Sequence, residues 1–187
     1  MSGRTRRIAP LAPDRWDEQT REIFGSNDRP LNILATIAHH PRLLRPFLAF
    51  AATLSVAGTL PRRISELLAL RAAWNCRSAF EWGHHVEYGR AAGLSEDEIR
   101  RVTAGPDDPA WSPGDRALLR AADELHESQD VTDETWARLR KDWEEAELVE
   151  IPFVVGNYTM LSMVANSTGV PLEEGLPPLG QSASSNE

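Results

Sequence analysis

The stretch Glu66-Leu-Leu-Ala-Leu-Arg71-Ala-Ala-Trp74-Asn-Cys76-Arg-Ser78-Ala-Phe-Glu81-Trp82-Gly-His84-His85-Val-Glu-Tyr88 decides how this chain reads. Its first half is an apolar run, with Ile64, Leu67, Leu68 and Leu70 around Glu66. That pattern predicts a core helix. The second half opens at Ser78, followed three residues later by Glu81, the spacing of a helix-capping box. On this second helix Glu81 and His85 are i,i+4 neighbours, and Trp82 and His85 are i,i+3. His84 points roughly 100° away from His85, so the two histidines cannot share a role.

Working outward, nearly every segment reads as helix. Asp14 to Phe24 puts Trp16, Thr20, Ile23 and Phe24 on one side. Pro30, Pro41 and Pro61 open helices ending near Ile37, Val56 and Trp74. Further starts stand at Ser95-Glu-Asp-Glu98, Ser112-Pro113-Gly-Asp115 and Thr132-Asp-Glu. Residues 145–165 predict a last long helix, interrupted or kinked near Pro152 and Gly156. No Asn-Gly or Asp-Gly hairpin and no sustained alternation marks a strand. The expected class is all-α, a helical bundle. One domain is expected over 14–172, between a flexible N-terminal segment, 1–13, and a flexible tail, 173–187. Leu176 and Leu179 give that tail a second option, docking on a neighbouring subunit.

Composition excludes several classes. Of 187 residues, 20 are Lys or Arg and 28 Asp or Glu, a formal charge of −8. Such a chain sets up no field that attracts nucleic acid or an anionic membrane. The basic start, with Arg4, Arg6 and Arg7, lacks the apolar run of a signal peptide. The uncharged stretch Ile151–Leu172 holds too many polar residues for a good membrane span. A cytoplasmic protein with neither nucleic-acid nor membrane partners is expected. The single cysteine, Cys76, excludes an internal disulfide and a Cys-x-x-Cys pair.

The residues that can carry chemistry converge in the opening stretch. Glu66, Glu81 and His85 form a candidate acid–base group, since a histidine beside carboxylates exchanges protons near neutral pH. Arg71 is the candidate cation for a substrate carboxylate. Structural readings compete with these. Glu81 can simply complete the cap of Ser78, and Glu66 with Arg71 can form an internal ion pair. His39-His40 before Pro41 reads as a loop pair, and His126 as a helix-end charge. No metal-ligand set is expected, and no phosphate loop or nucleophile elbow is present.

Three segments carry a family resemblance: Glu66-Leu-Leu-Ala-Leu-Arg71-x-x-Trp74, Glu81-Trp82-x-x-His85, and Ala-Gly93-Leu-Ser-x-x-Glu98-Ile. Together they resemble the carboxymuconolactone decarboxylase family, which has the alkylhydroperoxidase-like (AhpD-like) fold. Asn32 to Leu44 and Tyr158 to Val170 resemble its outer helices, so the likeness runs over about 30–172. Peroxidase members of that family carry a glutamate, a Cys-x-x-Cys and a histidine. Aligning Glu66 and His85 with that pattern puts Ser78 and Glu81 where the cysteines stand, with Cys76 two residues earlier. The resemblance therefore implies the decarboxylase-like branch, a cofactor-independent carbon–carbon lyase acting on a small carboxylated lactone or enolisable compound. It implies His85 as proton donor with Glu81 and Glu66 beside it. Arg71, Trp74, Ser78, Trp82, Phe80 and Cys76 are then the candidates to line the substrate pocket. It also implies a homo-oligomer: dimer, trimer or hexamer. Isomerase, hydratase and retro-aldol chemistry, or ligand binding without turnover, remain alternatives on the same residues. Hydroperoxide reduction is disfavoured without a dithiol.

Overall fold

The computed structural model describes residues 5–182. Among them are a 3-10 turn, Pro13–Arg15, and nine α-helices, with no strand. The helices are α1 (Glu18–Phe24), α2 (Asn32–Ile37), α3 (Pro41–Ser55), α4 (Arg62–Asn75), α5 (Ala79–Ala91), α6 (Glu96–Val102), α7 (Pro113–Ser128), α8 (Asp133–Leu139) and α9 (Glu145–Thr168). The all-α expectation holds.

Local chemistry sets most helix starts. The side chains of Asp17, Ser78, Ser95, Ser112 and Thr132 each accept a backbone N–H at the N3 position. At Ser95 the reciprocal bond from Glu98 completes the box. At Ser78 it does not form, because the Glu81 side chain is used elsewhere. The left-handed Arg77, at φ 53°, turns the chain from α4 into α5, and its guanidinium covers the Trp74 ring at 4.5 Å. The long last helix is continuous through Pro152 and Gly156, rather than interrupted.

Helix α4 is the centre. Ten of its fourteen residues are buried, and it packs against α5, α6, α7 and α9. A helix covered on all sides carries apolar residues all round, which is why Leu67, Leu68, Ala69 and Leu70 run consecutively with no exposure. One side joins Leu68, Ala72, Phe80, Leu118, Ile151, Val154 and Tyr158 in the main core. The other joins Leu67, Leu70, Trp82, Val86, Ile99 and Leu119 in a second cluster. Helix α9 is long and apolar enough to cross a membrane, but half of its most apolar window is buried against the bundle.

The chain ends differ from expectation. Residues 5–13 and 173–182 pack on the bundle; 1–4 and 183–187 lie outside the described residues. Arg7 N–H donates to Thr168 O, and Leu11 N–H to Ala35 O. The C-terminal segment straps α5. Glu173 accepts from His84 at 2.7 Å, the Trp82 indole N–H donates to Gln181 O at 2.8 Å, and Leu179 enters the second cluster. These contacts offset the ordering entropy that would otherwise leave a polar tail free.

Candidate active site

The site is built where α4, α5 and α9 meet. Glu66 has no exposed surface, and Glu81 and His85 are 3% and 4% exposed. His85 Nδ1 lies 2.6 Å from Glu66 Oε2. On the other side of the ring, Nε2 faces Glu81 Oε2 at 3.6 Å. The second Glu66 oxygen pairs with Arg62 of the same helix at 2.6 Å, one turn earlier. The order Arg62–Glu66–His85–Glu81 thus alternates in charge from the half-exposed guanidinium inward.

Burial pulls the His85 pKa down, but hydrogen bonds and charge from Glu66 and Glu81 outweigh it and lift the ring to about 9. At neutral pH His85 is an imidazolium between two carboxylates. Aromatic rings close the surroundings: Tyr158 meets the imidazole edge-on at 4.2 Å, and Tyr88 at 5.5 Å. Burial, then the Glu66 charge, raises the Tyr158 phenol, so it stays protonated. Glu81 Oε1 is buried with no hydrogen-bond partner among the described residues.

The raised pKa of His85 ties stability to pH. The folded value, about 9, lies above the ordinary value of 6.5. The stabilisation is therefore fully present below pH 6.5, declines from there, and is lost as pH rises through about 9. Urea unfolding should show stability falling over this window by on the order of 3 kcal/mol in the wild type. His85→Gln should remove most of that slope; equal slopes in both proteins would contradict the ion-paired imidazolium.

The other candidates divide. Ser78 is fully buried and caps α5 below Glu81. Cys76 ends α4 with its sulfur 3.9 Å from His126 Nδ1. Burial raises its pKa; the Thr159 and Ser162 hydroxyls and the Glu81 charge lie within its reach. It is therefore a protonated thiol beside the site, not an activated nucleophile. Arg71, the candidate substrate cation, is instead engaged inside the bundle. Its Nε and Nη2 donate to the two Asp123 oxygens at 2.6 and 2.8 Å, and Nη1 donates to Val102 O. Trp82 and Trp74 meet at a tilt, ring centroids 5.9 Å apart, in the second cluster, under the C-terminal strap. Phe80 packs in the main core and against His84, not His85. Arg62, Tyr158 and Ser162 were missed as site residues. Only Arg62 carries a sequence signal, its i,i+4 spacing to Glu66.

Among the described residues no group of three His, Cys, Asp or Glu side chains is placed to hold a metal ion. Two surface cavities lie away from His85. One, of about 470 Å³, sits between α7, α8 and α9 and includes Asp130, Asp133 and Trp136. The other, of about 320 Å³, is lined by Phe50 of α3 and by Pro152, Phe153, Gly156, Asn157 and Met160 of α9.

Residues 41–124, which include Glu66, Glu81 and His85, match the model of the carboxymuconolactone decarboxylase family. No curated protein matches the chain significantly. Among solved structures, an uncharacterized peroxidase-related protein from Silicibacter sp. is similar, with a TM-score of 0.77 at 18% identity, covering 96% of this chain and 100% of the other. The alkylhydroperoxidase AhpD core of a peroxidase-related protein from Ralstonia eutropha gives 0.74 at 17% identity, covering 91% and 95%. A cysteine-to-alanine variant of the debrominase Bmp8, in complex with 2,3,4-tribromopyrrole, gives 0.71 at 14% identity, covering 89% and 91%. At these identities the likeness establishes the fold.

Proposed function

This chain belongs to the carboxymuconolactone decarboxylase family, and from that premise we propose that it is an acid–base enzyme working through His85 without a thiol cycle. The reaction is cofactor-independent decarboxylation, or closely related proton transfer, on a small carboxylated lactone or similarly enolisable compound. One observation carries this reading: a buried imidazole held between two carboxylates, Nδ1 committed to Glu66 and Nε2 set loosely against Glu81.

The geometry divides the labour. Glu66 accepts a hydrogen bond from Nδ1–H and fixes the ring, which leaves the Nε2 proton as the transferable one. When the substrate's carbon–carbon bond breaks, carbon dioxide leaves and the electron pair stays behind as an enolate. The imidazolium stabilises that charge in a site dried by Tyr158 and the core. Nε2–H then protonates the substrate carbon, and the neutral ring regains a proton from solvent by way of Glu81. Cys76 takes no part.

The test is a panel of small lactone and β,γ-unsaturated carboxylic acids incubated in D₂O and followed by NMR. Expected are carbon dioxide release and one deuterium on the product carbon, with Cys76→Ser within about twofold of wild type. Neither release nor exchange across the panel contradicts the proposal. So does peroxide reduction that depends on added thiol and disappears in Cys76→Ser.

A further inference from the structure

The cavity between α7, α8 and α9 has an apolar floor and an acidic rim. Leu139, Leu148 and Ile151, each 4% exposed or less, form the floor and belong to the main core. Trp136 lines the side and keeps 38% of its surface exposed. Asp133, Trp136 and Leu139 follow at intervals of three residues, so one face of α8 runs from rim to floor. Asp130 and Asp133, both exposed, complete the rim. The volume of about 470 Å³ is that of a small-molecule site, in which apolar walls meet a few convergent polar groups.

The charge here has one sign. No Lys, Arg or His among the described residues lines the cavity. Asp130 Oδ1 accepts from the N–H of Val131, and neither Asp130 nor Asp133 has an ion-pair partner among the described residues. Bases close by in sequence are engaged elsewhere: Arg138 pairs with Asp142 at 3.1 Å, and the His126 ring faces the Cys76 sulfur. The C-terminal end of α7, the negative end of its dipole, borders the same space at Gln129. The walls are also fixed in advance. Gln129 takes a left-handed conformation, φ 61°, that a residue with a Cβ rarely adopts. Glu124 locks the following turn by accepting from Thr132 N–H, Thr132 Oγ1 and Thr135 Oγ1. A ligand entering here does not have to order the loop that carries Asp130.

We propose that this cavity binds a small organic cation, an amine carried on an apolar body. The ammonium group sits between the Asp130 and Asp133 carboxylates beside the Trp136 indole, where charge pairing and the ring quadrupole act together. The apolar body covers Leu139, Leu148 and Ile151. A ligand bearing a carboxylate meets the same two acids with the wrong sign. A bare metal ion finds no third ligand among the described residues. The site therefore takes the opposite class of molecule from the one assigned to His85, and it stands without that assignment.

NMR titration of the full chain at pH 7 tests this with 2-phenylethylamine as the probe. The neutral 2-phenylethanol and the anionic 3-phenylpropionate serve as controls of similar shape. The amine should shift the Trp136 indole N–H, assigned with Trp136→Phe, and saturate below about 5 mM. The alcohol should bind about fivefold more weakly or worse, and the acid more weakly still, since two exposed carboxylates separate the three by charge alone. Asp130→Asn with Asp133→Asn should bring the amine down to the affinity of the alcohol while the helical circular dichroism is unchanged. Absence of saturation by the amine overturns the proposal. Equal affinity for the amine and the alcohol in the wild type overturns it too, as does an unchanged amine affinity in the double variant.

Discussion

Replacing His85 by glutamine should lower turnover by about 10²–10⁴-fold, the range that a positioned proton donor contributes, while the helical spectrum remains that of the wild type. Glutamine keeps a donor toward Glu66 and nearly the volume of imidazole, but it cannot carry or return a proton. The loss should fall on kcat more than on KM, since the proton moves only after substrate is bound. Glu66→Gln gives the complementary result. It leaves His85 in place but removes the carboxylate at 2.6 Å that helps lift the ring to about 9. Activity should therefore persist at a reduced level, with the alkaline limb of its pH profile displaced to lower pH. Full activity in His85→Gln would remove His85 from the reaction. An unshifted profile in Glu66→Gln would reduce that glutamate to a structural partner.

The largest effect on stability is expected at Asp123. Its carboxylate holds Arg71 in a two-point grip and also accepts from Asn75 at 2.8 Å. Arg71 is only 9% exposed, and its guanidinium lies against Gly105, where even a Cβ would collide with it. Asp123→Ala leaves that cation inside the bundle without a counter-charge. Such a break costs about 3–5 kcal/mol, most of it the penalty of an uncompensated buried charge. Urea unfolding should show a loss of this size. The pair Arg71→Met with Asp123→Leu should recover most of it, because both charges are then gone. Arg71→Lys should remain destabilised, since a point charge does not replace a planar fork. A loss below about 1 kcal/mol in Asp123→Ala would place Arg71 in solvent reach and reopen its role toward substrate.

These two residues also show what a sequence can disclose. Helix starts were legible at Ser78, Ser95, Ser112 and Thr132 because a cap is made by residues three apart. The pairing of Glu81 with His85 was legible for the same reason, and Glu66 stood out as a charge on an otherwise apolar helix. Arg71 reads as an unpartnered cation because Asp123 lies 52 residues away on α7, and no local pattern announces that distance. Trp82 looked like a pocket wall because of its spacing to His85. Its indole instead donates to the backbone carbonyl of Gln181, a partner without any side-chain signature. The same kind of bond hid the strap of residues 173–182, whose composition alone reads as a free tail. Tyr158 reaches His85 from α9, and only the packing of α9 against α5 brings the two rings together.

The proposed proton transfer requires His85 to be a protonated ring between Glu66 and Glu81 at neutral pH. Nitrogen-15 NMR of the histidine side chains, titrated from pH 5 to 10 and assigned with His85→Gln, reads this directly. The prediction is one imidazole with both nitrogens protonated at pH 7 and an apparent pKa of about 9, absent from the His85→Gln spectrum. An His85 ring that is neutral at pH 7, titrating at or below 6.5, would contradict the proposed proton donor.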